Sequence, residues 1–264
     1  MVAAIAMVRD EEDIIETTVR WMVEQTDIVI VADNGSRDST REILDSLDGV
    51  VVLDDTKPGY YQAKKTTRLA RVAREKHGAD WVVPFDADEM HVATDRALRI
   101  ADVLERLPAE VLVSEAPLFD HVATGADPDE PNPVRRIGWR RAERATLRKI
   151  ACRTSPELMI HQGNHSAAYE GVEIVPMVSG HIEVRHFPYR SPEQMVRKAL
   201  NGREAYEATT LSADAGKHWR DYARLVDDGG PEALHEVFRE WFWSADPETD
   251  PGLFLDPCPL PASV

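Results

Sequence analysis

The chain has 264 residues, a hydrophobic content of 43% and a formal net charge of -16. This length and apolar content suit one large domain, or one domain with an extension, and exclude wholesale disorder. The negative charge disfavours non-specific binding to nucleic acid or to an anionic membrane. An anionic ligand therefore needs favourable local interactions that offset the repulsion by the whole molecule.

The first 120 residues alternate between short apolar runs and segments with helical spacing of apolar residues. The predicted strands are Val2–Val8, Ile28–Ala32, Val50–Leu53, Trp81–Phe85 and Val111–Ala116. The predicted helices are Glu11–Gln25, Ser39–Leu47 with a Ser39 and Glu42 capping box, one near Gln62–Lys76 after a loop with Pro58 and Gly59, and Arg96–Leu107. Strands joined by single helices indicate βαβ units and a mainly parallel sheet.

The pattern changes beyond residue 120. Residues 120–134 are rich in Pro, Asp and Gly and are expected to form a loop. The segment 135–153 holds eight basic residues against one acid, and short β-like pieces with four histidines follow it. A helix is predicted after Ser191, with Ser191 as N-cap, Pro192 at the first position and Gln194 at the third. The tail from Pro247 is expected to run extended over the surface.

The two cysteines, Cys152 and Cys258, do not form a disulfide framework and lack the spacing of metal ligands. The N-terminal sequence MVAAIAMVRDEED has no basic start and is followed by acid, unlike a signal peptide. No apolar run approaches the ~20 residues that span a bilayer. We therefore expect a reduced, cytoplasmic protein without a transmembrane segment.

Polar residues follow three of the predicted strands. They are Arg9-Asp10-Glu11 after the first, Asp33-Asn34-Gly35-Ser36 after the second and Asp86–Glu89 after the fourth. Ligands of such sheets bind beyond the carboxyl ends of the strands, so the three clusters indicate one shared crevice. The alternative is that these loops are polar only because loops generally are.

The acidic cluster after the fourth strand suggests a metal site. No G-x-G-x-x-G or P-loop motif is present to hold phosphates, but a cation bound by carboxylates can hold a diphosphate instead. Asp86 and Asp88 would point to the same side of an extended segment, and Ala87 between them is small. This predicts Mg²⁺ or Mn²⁺, whose charge would reverse the local field and admit an anionic ligand.

Three blocks in this order, MVRDEEDII, VIVADNGSRDST and ADWVVPFDADEM, resemble the GT-A-fold glycosyltransferases of family 2 over about residues 2–120. The later segment HFPYRSPEQMVRKALNG, residues 186–202, is similar to one in a bacterial branch of that family. The resemblance implies an α/β fold with a Rossmann-like, mainly parallel sheet flanked by helices and a helical C-terminal extension. It also implies a nucleotide-sugar-binding half at 1–120, an acceptor-side half of the same domain at 121–190, and the extension and tail at 191–264.

The resemblance also assigns roles to particular residues. Asp33 would hydrogen-bond the nucleobase, and Asp86 would meet the ribose or the metal. The residues that it places at the nucleotide are Val8, Arg9, Glu11, Asp33, Asn34, Lys65 and Asp86. The predicted metal ligands are Asp86, Asp88 and His186.

The general base is sought among later residues. His165 lies in the sequence HQGNHS, and the ordinary pKa of a histidine, ~6.5, suits proton abstraction near neutral pH. Glu183 and Asp120 are competing candidates. The basic segment is expected to be a solvated face, with an acceptor-side anion site as the alternative. Residues 241–243, Trp-Phe-Trp, would pack a C-terminal helix on the core or stack on an acceptor sugar or lipid.

The function expected from this resemblance is metal-dependent, inverting transfer of a sugar from a UDP-, GDP- or dTDP-linked donor. The acceptor would be a small molecule, a glycan or a lipid-linked compound, and a homodimer stays open. The alternatives are a metal-dependent phosphatase or nucleotidyltransferase, and a non-catalytic protein that only binds sugar nucleotides.

Overall fold

The computed structural model describes residues 1–57, 59–212, 214–261 and 264, so the predicted loop residue Pro58 lies outside the described residues. The strands are β1 (Val2–Val8), β2 (Ile28–Asp33), β3 (Val50–Asp54), β4 (Trp81–Pro84), β5 (Glu89–Ala93), β6 (Val113–Asp120), β7 (Ala123–Thr124), β8 (Trp139–Arg141), β9 (Arg148–Arg153), β10 (Leu158–Ile160), β11 (Ala167–Tyr169), β12 (Met177–Ser179), β13 (Ile182–His186), β14 (Trp243–Ser244) and β15 (Leu253–Leu255). The helices are α1 (Ile15–Gln25), α2 (Thr40–Asp45), α3 (Gln62–His77), α4 (Ile100–Glu105), α5 (Pro133–Arg136), α6 (Pro192–Glu207), α7 (Lys217–Gly229) and α8 (Pro231–Trp241).

The main sheet has nine strands among the described residues, in the order β3-β2-β1-β4-β9-β6-β13-β5, with β12 also paired to β6. The first four are parallel, as the alternating pattern predicts. β9 is antiparallel to both β4 and β6, and β5 is antiparallel to β13. The result is an α/β protein with a mostly parallel sheet, in which β9 separates the two strands that the βαβ pattern would make neighbours.

Strand β1 shows why the sheet is covered on both faces. Its alternating residues enter two different apolar clusters, because side chains on a strand point to opposite faces. Ala3 and Ile5 pack with Leu69 and Ala73 of α3 on one face. Val2, Ala4, Ala6 and Val8 pack with α1 and α4 on the opposite face. A central parallel strand is therefore apolar throughout.

Several predicted element boundaries are wrong. Helix α1 starts four residues late, since residues 11–14 form a turn closed by two bonds to the Glu11 carbonyl. The predicted helix at 96–107 is confined to α4 at 100–105. Strand β5 is missing from the prediction, and the predicted loop at 120–134 contains β7 and the start of α5. Short elements carry too few residues for their periodicity to show.

The capping box predicted at Ser39 and Glu42 is also wrong. Ser39 precedes α2 but its side chain accepts no capping hydrogen bond. The carboxylate of Glu12 accepts from the Ser39 N–H at 3.1 Å, and that of Asp38 accepts from the Thr40 N–H at 2.9 Å. The Glu12 carboxylate therefore takes the Ser39 N–H, one of the two donors that the box would have served. The predicted cap at Ser191 is confirmed, since its hydroxyl accepts from the Gln194 N–H at 3.1 Å.

The basic segment 135–153 is predicted to form a solvated face, but two of its basic residues are buried. Arg140 is 8% exposed and Lys149 is 4% exposed. Arg140 pairs with Asp256 of the tail at 2.8 Å, and β15 of the tail pairs with β8. A long cationic side chain is buried only when a carboxylate compensates its charge, and sequence spacing does not reveal that partner.

The aromatic triplet at 241–243 behaves partly as predicted. Phe242 packs on Tyr189 with ring centroids 4.1 Å apart, and Trp243 is half-buried against the core. Trp241 instead is 62% exposed. Both cysteines are free, as predicted. None of the helices among the described residues has the length and apolar character needed to cross a membrane.

Candidate active site

A cleft of about 420 Å³ lies at the carboxyl ends of β1 and β4. All three polar clusters that follow the predicted strands contribute to it, which confirms the shared crevice. Those lining residues include Arg9, Asp10, Glu11, Asn34, Asp86, Asp88 and Glu89. The later chain adds Lys149, His165, His186, Lys198, Asn201 and Trp219. Helices α6 and α7 thus form the wall that faces the acidic strand ends.

The acidic cluster is a turn, so the prediction of an extended segment is wrong. The Glu89 N–H donates to the Asp86 carbonyl at 3.0 Å, and the Asp86 N–H donates to the Glu89 carboxylate at 3.2 Å. Asp86 and Asp88 consequently have different partners. Asp86 accepts from Gln62 at 2.9 Å and from Lys149 at 2.7 Å, whereas Asp88 contacts Lys198 of α6.

Asp88, Glu89 and His186 form the group with metal-binding potential among the described residues. One ligand atom from each lies within 4.8 Å of the others. This set differs from the predicted one because the turn brings in Glu89 where Asp86 was expected. Two carboxylates and an imidazole suit a divalent cation such as Mn²⁺ or Mg²⁺, so these residues fit the metal that the resemblance implies.

The orientation of His186 is set by Asp120. The Nδ1 atom of His186 lies 2.7 Å from the Asp120 carboxylate, and Nε2 lies 3.7 Å from the Asp88 carboxylate. Burial alone would lower the pKa of His186, but the hydrogen bond to Asp120 and the charge of Asp88 raise it. Such a carboxylate–histidine pair directs the second ring nitrogen toward a metal.

Replacing Asp120 with Ala is expected to weaken Mn²⁺ binding about 10- to 100-fold, the usual effect of losing a carboxylate that orients a histidine ligand. Asp120→Asn keeps an accepting oxygen for His186 and should retain most of the affinity. Equilibrium titration with Mn²⁺ measures both variants. If Asp120→Ala binds Mn²⁺ normally but loses turnover, Asp120 acts as the base and does not orient His186.

Lys149 is a cleft residue that the sequence analysis missed. Its ammonium lies 2.7 Å from both the Asp86 and the Glu89 carboxylates and donates to the Gly163 carbonyl at 2.9 Å. Burial raises the pKa of Glu89 to about 7, although the Lys149 charge opposes this shift. Lys149 lies on the inserted strand β9, so only the sheet order brings it to the acidic turn.

Two cations approach Asp88 from the other side. Lys198 contacts its Oδ2 atom, and Arg190 lies 4.0 Å away. Although burial opposes ionisation, the Lys198 ammonium holds the pKa of Asp88 well below its usual range. Arg190 is 2% exposed and pairs with Glu11 at 2.6 Å and with Asp13 at 2.7 Å. Arg190 and Lys198 thus compensate the negative charge on this side of the acidic turn.

The residues predicted to bind the nucleotide fall into two groups. Val8, Arg9, Glu11, Asn34 and Asp86 line the cleft. Arg9 donates to Glu204 at 2.9 Å, but its buried Nε and Nη1 atoms have no hydrogen-bond partner among the described residues. Asp33 and Lys65 do not appear in the lining. The Asp33 carboxylate accepts from the Ser36 N–H at 3.1 Å, and Lys65 pairs with Asp55 at 2.7 Å.

His165 lines the cleft, whereas Glu183 does not. The Nδ1 atom of His165 lies 2.7 Å from the Arg148 carbonyl, which can only accept. Nδ1 therefore carries a proton and Nε2 keeps a lone pair. Burial lowers the pKa of His165, which favours this neutral form. Glu183 pairs with Arg96 at 2.6 Å and with Arg185 at 2.8 Å.

Gly163 allows His165 to take this position. Its φ is +78°, in the left-handed region that favours glycine. A Cβ atom at Gly163 would lie 2.5 Å from the Nε2 atom of His165. The glycine in the HQGNHS sequence therefore leaves the space that the imidazole ring fills.

A mostly parallel sheet thus carries carboxylates, a histidine and cations around a cleft at its carboxyl edge. The chain matches the family model described as glycosyl transferase family 2 over residues 4–164, and it belongs to that family. A comparison with curated proteins finds no match.

Solved structures of glycosyltransferases are similar to part of the chain. One is glucosyl-3-phosphoglycerate synthase from Mycobacterium tuberculosis in complex with Mn²⁺, uridine diphosphate and glucosyl-3-phosphoglycerate, at 17% identity over 45% of this chain and 44% of that one, with a TM-score of 0.33. Another is mannosyl-3-phosphoglycerate synthase from Rubrobacter xylanophilus, at 21% identity over 45% and 40%, with a TM-score of 0.32. The matches thus cover less than half of each structure.

Proposed function

We propose that this chain transfers a sugar from a nucleotide-diphospho-sugar to an acceptor hydroxyl, with a divalent cation held by Asp88, Glu89 and His186. The observation that carries the proposal is this group, with ligand atoms within 4.8 Å at the carboxyl end of β4. Family membership supports the sugar-transfer chemistry. We keep UDP, GDP and dTDP as candidate carriers, and Mn²⁺ and Mg²⁺ as candidate ions.

The nucleotide would lie over the ends of β1 and β2. Within the described part of the chain, two buried donor atoms of Arg9 have no hydrogen-bond partner, although Nε lies 3.7 Å from the Asp10 carboxylate. These donors suit an anionic or carbonyl acceptor on the nucleotide sugar. Asn34 lines the same part of the cleft while its amide donates to the Lys57 carbonyl at 2.7 Å, which fixes the loop after β3. In this proposal Asp33, beside Asn34, accepts a hydrogen bond from the nucleobase. For this to happen, the loop at Ser36 has to move so that the Asp33 carboxylate is released from Ser36.

The diphosphate would lie over the acidic turn. When bound, the cation supplies positive charge that stabilises the negative charge of the leaving diphosphate. Asp88 and Glu89 hold it, and His186 completes the set with the Nε2 atom that Asp120 orients. Lys149 keeps the Asp86 carboxylate in place through its 2.7 Å ion pair and sets the shape of the turn.

His165 is the general base of this proposal. Its neutral ring presents Nε2 to the cleft, while Nδ1 is held by the Arg148 carbonyl at 2.7 Å. Nε2 would take the proton of the acceptor hydroxyl as that oxygen attacks the anomeric carbon, which gives inversion in one displacement. Asp120 is hydrogen-bonded to His186, and Glu183 is paired with two arginines, so both are less available.

Removing the metal is expected to weaken nucleotide binding about 5- to 150-fold, the usual range of coupling between two ligands. Without a cation, the acidic turn repels the diphosphate. Calorimetry with UDP and GDP, in Mn²⁺ and in EDTA, measures the effect. Uridine and guanosine, which lack phosphate, control for effects of EDTA on the fold. Equal affinity in EDTA would contradict metal-dependent donor binding.

Product analysis separates the remaining alternatives. A glycosyltransferase releases free sugar and nucleoside diphosphate when it slowly hydrolyses its donor, because water replaces the acceptor at the anomeric carbon. A nucleotidyltransferase or phosphatase would cleave at phosphorus and leave a sugar phosphate or inorganic phosphate. A protein that only binds sugar nucleotides would bind the donor and release neither.

A further inference from the structure

Lys198 occupies the same carboxylate that would hold the metal. Its ammonium contacts the Oδ2 atom of Asp88 and donates to the Pro188 carbonyl at 3.2 Å. Asp88 is 4% exposed, whereas the Lys198 side chain is 21% exposed and lines the cleft. The lysine therefore reaches from the cleft wall on α6 into the acidic turn.

Two aromatic rings flank this ammonium. The Nζ atom of Lys198 lies 5.9 Å from the ring centroids of both Tyr189 and Trp219, within the range of a cation–π contact. Trp219 is fixed against α6, since a Cβ atom at Gly202 would lie 2.6 Å from its Cγ atom. The ammonium therefore contacts the faces of both rings while it is paired with Asp88, and the rings border the part of the cleft next to it.

The position of Lys198 conflicts with a bound cation. Two positive charges at one carboxylate oxygen repel each other, and the burial of Asp88 reduces screening by water. The side chain of Lys198 has four flexible carbons, so the ammonium can move without a shift of the helix. The cleft, which is lined by the same lysine, is the space into which it can move.

We propose that Lys198 acts as a resident cation at Asp88 that the divalent metal displaces, and that the displaced ammonium then binds a phosphate of the nucleotide diphosphate. The inference rests on the proposed function and adds a coupling to it. Metal binding releases the ammonium, and the released ammonium favours the diphosphate. Metal and donor therefore bind with positive cooperativity beyond their direct contact.

Lys198→Met tests this coupling, because methionine keeps the length of the side chain and removes its charge. We expect Mn²⁺ to bind the variant about tenfold more tightly without nucleotide, since no ammonium has to leave Asp88. We expect UDP, at saturating Mn²⁺, to bind about tenfold more weakly, since one phosphate contact is lost; both changes lie in the usual range of coupling between ligands. Electron paramagnetic resonance of free Mn²⁺ and calorimetry with UDP measure the two affinities, and GDP replaces UDP if wild type prefers it.

Two further variants make the result specific. Lys217→Met removes an exposed lysine from the first turn of α7 and should change neither affinity. Lys198→Gln removes the same charge with a polar side chain and should reproduce the effect of Lys198→Met. It serves as the test variant if Lys198→Met does not fold. Thermal unfolding confirms that each variant is folded.

The outcomes distinguish this inference from the proposed function. If wild type binds no Mn²⁺, the metal-dependent function itself is contradicted. If wild type binds Mn²⁺ and UDP cooperatively but folded Lys198→Met binds Mn²⁺ no more tightly, displacement is overturned and the function stands. If Lys198→Met binds Mn²⁺ more tightly but UDP equally well, the phosphate contact is overturned.

Discussion

His165→Ala is expected to bind nucleotide and Mn²⁺ as wild type does and to transfer sugar about 10²- to 10⁴-fold more slowly, the usual cost of losing a general base. The imidazole enters the cleft with Nε2 unprotonated, because the Arg148 carbonyl holds the proton on Nδ1. Alanine leaves the acidic turn and its cations untouched, so donor binding should survive. Excess Mn²⁺ should not restore the rate.

The control for this variant is His161→Ala. His161 is an exposed histidine four residues earlier, and its Nδ1 atom lies 2.8 Å from the Ser166 hydroxyl. It is not part of the cleft lining, so its loss should leave turnover within about twofold. Initial rates of transfer, at saturating donor and Mn²⁺, compare the two. Wild-type turnover of His165→Ala would move the base elsewhere, with Asp120 as the next residue to test.

Arg190→Met is expected to lower the free energy of unfolding by about 3–5 kcal/mol, the usual cost of removing one partner of a buried ion pair. The guanidinium is 2% exposed and holds Glu11 and Asp13, and it also donates to the Phe187 carbonyl at 3.1 Å. Methionine would fill much of the volume but would leave the Glu11 carboxylate in the protein interior without its cation. Urea denaturation followed by circular dichroism measures the change.

Arg41→Met is the matched control for stability. Arg41 pairs with Asp45 at 2.8 Å and with Asp54, but its side chain is 36% exposed. Exposed ion pairs of this kind contribute about 0–1 kcal/mol, because water screens them. If Arg190→Met costs no more than Arg41→Met, the ion pairs of Arg190 with Glu11 and Asp13 do not stabilise the fold.

The sequence predicts those parts of the fold that depend on neighbouring residues. Strand β1 is uniformly apolar because both faces are covered, and such a run is visible without a structure. Apart from the missed β5, the order of strands and helices in the first half follows from the same local patterns. The Ser191 cap is predicted correctly because the hydroxyl and the amide that it accepts from lie three residues apart.

The remaining parts of the site depend on residues that are far apart in sequence. Lys149 and Asp86 are separated by 63 positions, and Lys198 and Asp88 by 110. No spacing rule connects such pairs, and β9 enters the sheet in the direction that the βαβ pattern does not predict. The prediction that Asp86 and Asp88 lie on an extended segment is wrong for a different reason. Alternation with period two holds in strands, and the chain has already turned at residue 87.

The long separation between Asp88 and Lys198 has a consequence for biosynthesis. A ribosome adds roughly 5–20 residues per second, so the acidic turn leaves the ribosome on the order of ten seconds before α6 is made. During that interval the nascent chain carries the carboxylates of the turn after β4 without Arg190 and Lys198. Lys149 is made about midway through that interval and can pair with Asp86 and Glu89. The cleft is completed late in folding, when the last of its walls reaches the sheet.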